Sequence, residues 1–499
     1  MQASASRFDM YSLFTRIGAL QLAGALAYAA RTKVGALVLG TGGVGLVSVI
    51  DQFVLLMLQL FAFSIPFASV KVLSKAHSQS IDSFKAAYSV IMQLLLILGS
   101  IGAAVGMVTF VVRPGWVSTS LADHTALVGI GLLAIPAAIL CPFFRNVPAA
   151  AMQPITSAVW DAVTAAITGG AVVIGILLGG VTGYFVGTLM GWVVVSVTYY
   201  SYLARRFGVS LAGKPSSVRS FLKANASFVE LSLTSYIGSF VTPLALLVVR
   251  LTTLHSLGIA AAGILQAAIG VSLAINLLLN PLNGLLLTPV VNRTLADSNK
   301  FQVTRQFQQK LLLAIAIVAL PPIVFPDLTV LALYSSRFVE AADSLYLFIL
   351  SQAIMQVNGI ATALMIGLDR LKAYAAVMVA GTAVHAALAL LLVPRLGILG
   401  AGVAAVTSAT ALALGTFGYL RVRNGFRIGT ALQFGSLLLF IALGVVGALI
   451  GTRPSFGIGI LLFKLVVCAS FLTFMISVSL DRTERRALLA RFGVASSNR

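Results

Sequence analysis

The chain has 499 residues, of which 59% are hydrophobic and only 9% are charged, and its mean hydropathy is +1.03. Soluble domains carry about 25% charged residues, so this composition excludes a soluble enzyme, ATPase or receptor and predicts that lipid is the solvent. The formal charge of +20 would suggest a nucleic-acid partner in a soluble protein, but the positions of the basic residues explain it without one.

Taken in chain order, the apolar segments predict an all-α integral membrane protein with about fourteen transmembrane helices. A spanning helix needs about 20 mostly apolar residues. Pro281 and Pro289 interrupt span 8 and predict a kink there, and Pro66, Pro136 and Pro243 suggest further kinks or hinges. The predicted spans are 12–38, 44–66, 86–112, 124–143, 152–179, 182–203, 226–250, 259–290, 311–332, 343–367, 373–393, 398–420, 430–450 and 456–480.

The basic residues outside these spans are distributed very unevenly. All but four of them fall in one set of alternate loops or in the two termini. Cytoplasmic loops carry an excess of lysine and arginine, so this set and both termini are predicted to be cytoplasmic. The four exceptions, on the opposite side, are Arg113, Arg337, Arg395 and Arg453.

The second half of the chain repeats the first at a nearly constant offset. Gly45–Val47 corresponds to Gly263–Leu265, and Val72–Lys75 corresponds to Val290–Arg293. An offset of six spans, an even number, makes a parallel repeat, an arrangement found in transporters. We therefore predict two pseudo-symmetric six-helix lobes with two appended helices: an N-terminal lobe at 1–210 (spans 1–6), a C-terminal lobe at 211–427 (spans 7–12), and spans 13–14 with a cytoplasmic tail at 428–499.

Arginines inside the spans are the first candidate binding residues, because ionisable side chains in a bilayer are costly and rare. Arg31 and Arg250 occupy matching places in spans 1 and 7, roughly 13 Å from the outer end at 1.5 Å per residue. Two guanidinium groups can hold a phosphate or diphosphate through bidentate hydrogen bonds. Arg16 differs from Arg31 by only about 60° around the helix, so it can face the same cavity. The structural alternative is that these side chains cap helix ends or pair internally.

Asp51 is predicted to lie at the same depth as Arg31, because each is ten residues from a turn near Thr41. One interpretation is an ion pair that neutralises Arg31, and the other is a coupling site for a proton or sodium ion. The second half has Ile269 or Ala268 at this place. Arg250 therefore has no matching counter-ion and is the stronger candidate for binding an anion.

Three further side chains are candidates for the cavity or for coupling. Glu230 near the cytoplasmic end of span 7 and Asp161 in span 5 could relay protons, although each is more often a satisfied structural carboxylate. His385 in span 11 titrates near neutrality in water, but a single histidine is more often a packed residue. The residue pattern contains no metal-binding motif and no nucleophile–base motif.

Span 6 contains a double GxxxG pattern formed by Gly183, Gly187 and Gly191. Small residues at this spacing allow helices to approach closely in lipid. The pattern therefore predicts a helix-packing contact and not a binding site.

Three motifs carry a resemblance to a known family. They are ARTKVGALVLGTGGVGLVSVIDQF at Ala30–Phe53, GLDR at Gly367–Arg370 and PRLGILGAGVAAVTSA at Pro394–Ala409. The chain up to about Arg423 resembles the polysaccharide transporter (oligosaccharide flippase) family of the multidrug/oligosaccharidyl-lipid/polysaccharide flippase superfamily. The resemblance implies two lobes in a V that alternate between inward-open and outward-open states.

The resemblance also implies a substrate. It would be an undecaprenyl-diphosphate-linked oligosaccharide repeat unit, exported across a bacterial inner membrane for exopolysaccharide, capsule or O-antigen assembly. Cavity arginines would hold the diphosphate, and by position these are Arg31 and Arg250. Expected partners are the lipid-linked oligosaccharide, membrane lipids, and a polysaccharide polymerase with its export machinery; no cofactor is expected beyond proton or sodium coupling.

Three other functions compete with this one. A peptidoglycan lipid-precursor flippase also fits the fourteen spans. A cation-coupled multidrug antiporter is disfavoured because span 1 lacks the acidic cluster often found there. A membrane polysaccharide polymerase or ligase is disfavoured because the longest external loops, 113–123 and 333–342, are short for a catalytic loop. We therefore expect a transporter and not an enzyme.

Overall fold

The computed structural model of the chain describes residues 5–112, 119–151, 153–210, 218–292, 297–426, 430–451 and 457–479. All regular elements in these ranges are helical, with two 3₁₀ turns at Thr119–His124 and Ser336–Ala341 and a π-helical turn at Gly447–Gly451. The α-helices are α1 (Ala5–Ala62), α2 (Ile65–Gln79), α3 (Ile81–Val112), α4 (Thr125–Leu133), α5 (Ile135–Ala138), α6 (Leu140–Ala150), α7 (Pro154–Phe207), α8 (Val218–Ala224), α9 (Ala226–Leu257), α10 (Ile259–Asn292), α11 (Asp297–Val324), α12 (Pro326–Leu333), α13 (Ala342–Gly367), α14 (Leu371–Asn424), α15 (Thr430–Val446) and α16 (Ile458–Ser479).

The number and order of the spans agree with the prediction. Ten helices in the described ranges are long and apolar enough to cross a membrane. Three of these, in α1, α7 and α14, are 41, 53 and 54 residues long, about twice what a bilayer requires, and each is interrupted by a glycine in a non-helical conformation. Counting both arms of these three helices and adding the shorter apolar helix Leu438–Ile450 gives fourteen. The chain is a multi-pass membrane protein.

Glycines form the tight turns within and between these long helices. Gly40 interrupts α1 with φ 64°, Gly180 interrupts α7 with φ 56°, and Gly397 interrupts α14 with φ 64°. Gly258, with φ 88°, joins α9 to α10. Side chains with a Cβ rarely adopt this left-handed region, so glycine is what allows two spans to be joined without a loop.

The turn glycines also follow the internal repeat. Gly40 and Gly258 occupy equivalent positions in the two halves, and Gly180 and Gly397 do so to within one residue. A Cβ on Gly45 would lie 2.0 Å from the carbonyl oxygen of Ile259, and a Cβ on Gly263 would lie 2.0 Å from that of Thr41. Thr41 and Ile259 are themselves equivalent positions of the repeat, so the two contacts are reciprocal. This reciprocity supports a repeat in which the first turns of spans 2 and 8 are equivalent.

Two of the predicted proline kinks are helix breaks. Helix α1 ends at Ala62 and α2 begins with Pro66 in its first turn, while α5 begins with Pro136 in its first turn. Between α1 and α2, Phe63 and Ser64 have φ angles of 47° and 51°. In contrast, α9 continues through Pro243, and α10 continues through Pro281 and Pro289.

The glycine pattern of span 6 packs against span 5, as predicted. A Cβ on Gly183 would lie 1.8 Å from the carbonyl oxygen of Gly175, and one on Gly187 would lie 2.4 Å from that of Ala171. The two arms of α7 therefore touch backbone to backbone. This contact brings residue 184, next to Gly183, into a fixed position beside α1.

By packing, the chain divides into two compact units. The first comprises 1–266, 333–337 and 378–397, and the second comprises 267–332, 338–377 and 398–499. In the first unit an aromatic core includes Phe84, Tyr88, Phe143 and Phe144. The lobe boundaries at 210 and 427 rest on the sequence offset and stay a prediction.

In the second unit, the appended helix α16 carries a lysine in the core. Lys464 is fully buried, and its ammonium lies 5.8 Å from the centre of the Phe325 ring. Asp327, at the start of α12, interacts electrostatically with it. A cation over an aromatic face and close to a carboxylate is stabilised without water, which explains how α16 carries a charge inside the protein.

Candidate functional site

Arg31 and Asp51 face each other across the turn of α1, as their equal depth predicted. The guanidinium Nη2 of Arg31 lies 3.8 Å from Oδ2 of Asp51. The hydroxyl of Tyr184, from the second arm of α7, accepts a hydrogen bond from Arg31 Nη2 and donates one to Asp51 Oδ2. The Arg31 guanidinium also lies over the tyrosine ring, 5.1 Å from its centre. The result is an ion pair with a tyrosine hydroxyl inserted between its members.

This ion pair is partly exposed. The side chains of Arg31 and Asp51 retain 32% and 39% of their accessible surface. Charged groups in contact with hydrocarbon are strongly disfavoured, so the open side must face water or a polar ligand. We therefore take Arg31 and Asp51 as the accessible part of the candidate binding site.

Tyr184 is the member of this cluster that the sequence did not predict. It is buried, with 5% of its surface exposed, and a lone tyrosine in an apolar span carries no distinctive sequence signal. The available signal was indirect, since Tyr184 directly follows the first glycine of the double GxxxG pattern. A close helix contact at Gly183 fixes the neighbouring side chain against the next helix.

Arg250 lies beside this cluster and is more deeply buried, with only 7% of its surface exposed. Its Nη1 donates a hydrogen bond of 2.6 Å to the carbonyl oxygen of Ser48, which precedes Asp51 by three residues. Its Nε is buried and has no hydrogen-bond partner in the described part of the chain. An unpaired donor on a buried cation is costly, so this group has capacity to bind an anion.

Two tyrosines complete the surroundings of the arginines. Tyr28, one turn before Arg31, interacts electrostatically with both Arg31 and Arg250. Tyr334 interacts with the same two arginines, and its hydroxyl donates to the carbonyl oxygen of Gln266 at 3.4 Å. The candidate site thus contains two cations and one carboxylate, with the Tyr184 hydroxyl bonded between them and Tyr28 and Tyr334 nearby.

Contacts to backbone carbonyls fix the position of Arg250 relative to Asp51. The side-chain amide of Gln52 donates to the carbonyl oxygen of Pro243 at 2.9 Å, and Arg250 donates to Ser48 on the same arm of α1. These two bonds bind α9 to the second arm of α1 on either side of Asp51. The two arginines therefore approach the same carboxylate from different helices.

The remaining candidates lie elsewhere. Asp161 forms an ion pair with Arg145, with 3.1 Å between Oδ1 and Nε, and the neighbouring Trp160 stacks on Tyr199 at 4.1 Å. Glu230 is exposed at the start of α9, and His385 is half-buried in the first arm of α14. Arg16 belongs to α1, but its side chain is outside the described residues. Of the seven predicted site residues, the structure brings together Arg31, Asp51 and Arg250.

The hydrogen-bond donors of this site suit an anion better than a metal ion. Within the described ranges, no group of three or more histidine, cysteine, aspartate or glutamate side chains could hold a metal ion. Guanidinium and phenol groups donate hydrogen bonds to oxyanions, and arginine does so in a planar, bidentate geometry. A phosphate or diphosphate group matches these donors.

The chain matches no family model and no curated protein sequence, whereas solved structures match it over most of its length. An inward-facing multidrug resistance MATE family transporter of the MOP superfamily gives a TM-score of 0.63 at 14% identity, covering 84% of this chain and 99% of its own. The lipid II flippase MurJ, in an inward closed conformation, gives 0.62 at 13% identity, covering 94% and 98%. The chain has the fold of the MOP-superfamily transporters.

A third match has the same fold and a different binding pocket. A MOP superfamily transporter from Pyrococcus furiosus, described as having a binding pocket of reverse polarity, gives a TM-score of 0.61 at 12% identity and covers 87% of this chain and 96% of its own. The MurJ structure aligns with 94% of this chain and the MATE structure with 84%. The difference corresponds to about the length of two spans. Since the shared fold accompanies different named functions, the site must decide between them.

Proposed function

We propose that this protein is a flippase that translocates an undecaprenyl-diphosphate-linked oligosaccharide repeat unit across a bacterial inner membrane by alternating access. Its product would supply assembly of a polysaccharide such as exopolysaccharide, capsule or O-antigen. The observation that carries the proposal is the excess of positive charge in the candidate site, where Arg31 and Arg250 share a single carboxylate, Asp51.

The charge balance favours an anionic substrate. Asp51 compensates one guanidinium, and Arg250 is left with a backbone carbonyl on one nitrogen and, among the described residues, no partner on Nε. An uncompensated charge inside a membrane protein is expensive, and a diphosphate would compensate it. The same excess would repel cationic drugs, which disfavours a multidrug antiporter.

The geometry suggests how binding and release are coupled to Asp51. The carboxylate and an incoming diphosphate would compete for the same donors, the Arg31 guanidinium and the Tyr184 hydroxyl. Binding the diphosphate would therefore require Asp51 to lose Arg31, and protonation or a sodium ion would stabilise the released carboxylate. Asp51 is accordingly the candidate residue for coupling transport to an ion gradient.

A peptidoglycan lipid-precursor flippase is the second candidate. The specific observation in its favour is the 94% coverage of this chain by the MurJ structure, which exceeds that of the MATE transporter by about two spans. A peptidoglycan precursor also carries a diphosphate, so the arginine site does not discriminate between the two substrates. Transport of both lipids must therefore be measured.

The test is flipping by the purified protein in proteoliposomes. A fluorescent oligosaccharide on undecaprenyl diphosphate would be followed by its accessibility to a membrane-impermeant quencher, with a peptidoglycan precursor and a cationic dye assayed in parallel. We expect Arg250→Ala to reduce flipping by about ten- to a hundredfold, because a hydrogen bond to a charged group is worth about 1.5–3 kcal/mol. Arg395→Ala, which removes an exposed arginine near the turn of α14, is the matched control and should flip normally.

The outcomes separate the candidates. Faster flipping of the oligosaccharide lipid than of the peptidoglycan precursor would support the first proposal, and the reverse preference would support the second. Equal activity of Arg250→Ala and the wild type would remove Arg250 from the site. Movement of the dye alone would replace both proposals with the antiporter.

A further inference from the structure

Three side-chain amides form a continuous hydrogen-bonded chain in the second compact unit. The Nε2 of Gln356 donates to Oδ1 of Asn276 at 2.6 Å, and the Nδ2 of Asn276 donates to Oε1 of Gln352 at 2.7 Å. Gln352 and Gln356 are one turn apart on α13, and Asn276 faces them from α10. We refer to these three residues as the amide chain.

The amide chain lies near the middle of α13 and is partly exposed. Gln352 precedes the end of α13 at Gly367 by fifteen residues, so it lies about 22 Å from that end at 1.5 Å per residue. Gln356 is buried, with 4% of its surface exposed, whereas Asn276 and Gln352 are half-buried. Because hydrocarbon leaves exposed amides unsatisfied, the open side must face water or a polar ligand.

The internal repeat indicates that the fold itself does not need these amides. At the offset that relates Gly45 to Gly263, the equivalents of Asn276, Gln352 and Gln356 are Leu58, Ala134 and Ala138. Ala134 and Ala138 are buried, at 2% and 7% exposure, and α1 contacts α5 in that half of the chain. Polar side chains therefore occur in only one of two equivalent places.

The hydrogen-bond inventory shows what the amide chain can still bind. A carboxamide has two N–H donors and one oxygen with two lone pairs. The two bonds use only the oxygen of Gln352. Among the described residues, neither N–H group of Gln352, at the end of the amide chain, has a partner, so both can donate to a ligand. These groups are neutral and match hydroxyl oxygens better than charged groups.

We propose that the amide chain of Asn276, Gln352 and Gln356 is a second substrate contact, which recognises sugar hydroxyls of the transported molecule. The inference rests on the proposed function and extends it, because it assigns the glycan its own residues apart from those that hold the diphosphate. Gln352 supplies the donors, and Asn276 and Gln356 fix its orientation.

A purely structural role is the competing explanation, since amides also bond helices together in membranes. The two roles differ in selectivity. A sugar contact changes the affinity only for lipids that carry sugars, whereas helix bonding changes stability and affects all ligands alike.

The experiment measures equilibrium binding of two probes to the purified full-length protein, an undecaprenyl-diphosphate-linked oligosaccharide and undecaprenyl diphosphate alone. Gln352→Met removes the amide and nearly preserves side-chain volume, and Gln352→Ala is the second variant in case methionine disturbs packing. Ser351→Ala is the matched control, because the Ser351 hydroxyl donates to the Phe348 carbonyl of its own helix at 2.8 Å. Thermal unfolding of each variant is recorded alongside.

We expect both Gln352 variants to weaken binding of the sugar-bearing lipid at least fivefold and to leave binding of undecaprenyl diphosphate within twofold, while Arg250→Ala weakens both. Equal weakening of the two probes by Gln352→Met and Gln352→Ala, or no effect on either, would overturn the inference and leave the diphosphate site standing. Binding of neither probe by the wild type would instead overturn the proposed function, and the sugar contact with it.

Discussion

At the residue scale, the candidate site shows how a membrane protein holds opposite charges without neutralising them fully. The Tyr184 hydroxyl bonds both Arg31 and Asp51, while Arg31 Nη2 and Asp51 Oδ2 stay 3.8 Å apart. The tyrosine thus positions both charged groups and leaves part of each open. Such a pair can exchange partners more readily than two groups in direct contact.

Removing the hydroxyl of Tyr184 tests this positioning role. We expect Tyr184→Phe to fold normally and to reduce flipping roughly fivefold, because losing a hydrogen bond to a charged group in a membrane costs about 1–2 kcal/mol. Initial flipping rates in proteoliposomes measure the effect, with Tyr419→Phe in the second arm of α14 as the control. Flipping by Tyr184→Phe at the wild-type rate would show that the hydroxyl has no role in transport.

Removing the charge of Asp51 tests the competition with substrate. Asp51→Asn keeps the size of the side chain and an oxygen acceptor but no longer attracts Arg31 electrostatically. We expect undecaprenyl diphosphate to bind several-fold more tightly to this variant, because the asparagine no longer competes with the diphosphate for Arg31. We also expect slower transport, because no carboxylate is left to replace the diphosphate as the counter-ion of Arg31 when the substrate is released. Binding titrations and flipping rates measure the two effects.

The matched control for that variant is Asp161→Asn, since Asp161 is also a paired carboxylate in a span but bonds to Arg145. It should change neither measurement. Weaker binding of the diphosphate lipid by Asp51→Asn would contradict the competition and would assign Asp51 to the support of Arg31 alone.

At the scale of helices, close backbone contacts at glycines determine where spans meet. The reciprocal contacts of Gly45 with Ile259 and of Gly263 with Thr41 leave no room for a methyl group on either helix. A Cβ at 2.0 Å from a carbonyl oxygen must push the helices apart. This contact therefore sets the separation of the second arm of α1 from the first turns of α10.

Alanine substitutions test that separation. We expect Gly45→Ala and Gly263→Ala each to destabilise the protein by about 1–3 kcal/mol, the usual cost of overpacking. Thermal unfolding in detergent measures the loss, with Gly129→Ala as the control, because nothing lies within 4 Å of a Cβ at that position. Unfolding temperatures equal to that of the wild type for both substitutions would show that the helices separate at little cost.

Other helix features could be predicted only in part. Pro66 indicated a break near the end of span 2, because proline cannot continue a helix hydrogen-bond pattern. The left-handed conformations of Phe63 and Ser64 could not be predicted, since they depend on α9. Ser232 donates to the Phe63 carbonyl at 2.5 Å, and Ser239 bonds to Ser64 at 2.7 Å. Such tertiary contacts have no local sequence signal.

At the scale of the whole molecule, the fold was predictable because the bilayer leaves few alternatives. An apolar segment of sufficient length must form a helix, since every backbone polar group has to be satisfied internally. The same argument says nothing about which side chains meet, and Tyr184 and the amide chain were missed for that reason. Structures at 12–14% identity share the fold but differ in named function, so the substrate has to be inferred from the site.

The orientation in the membrane is the last prediction, and it decides whether transport is export. The alternation of basic residues predicts that the Arg395 turn is outside and Arg206 is in the cytoplasm, and both side chains are exposed. In a background with Cys141→Ala and Cys468→Ala, we expect Arg395→Cys to react with a membrane-impermeant maleimide on intact cells. Arg206→Cys should react only after permeabilisation, because its thiol would face the cytoplasm.

The background without cysteines controls for labelling of other proteins. The opposite result, with Arg206→Cys labelled in intact cells and Arg395→Cys protected, would invert the topology. Export requires the lipid-linked substrate of the proposal to be loaded from the cytoplasmic face, so the direction of transport depends on this orientation. In an inverted protein, the side predicted to be extracellular would face the cytoplasm. The labelling experiment therefore tests the direction of export independently of the arginine site.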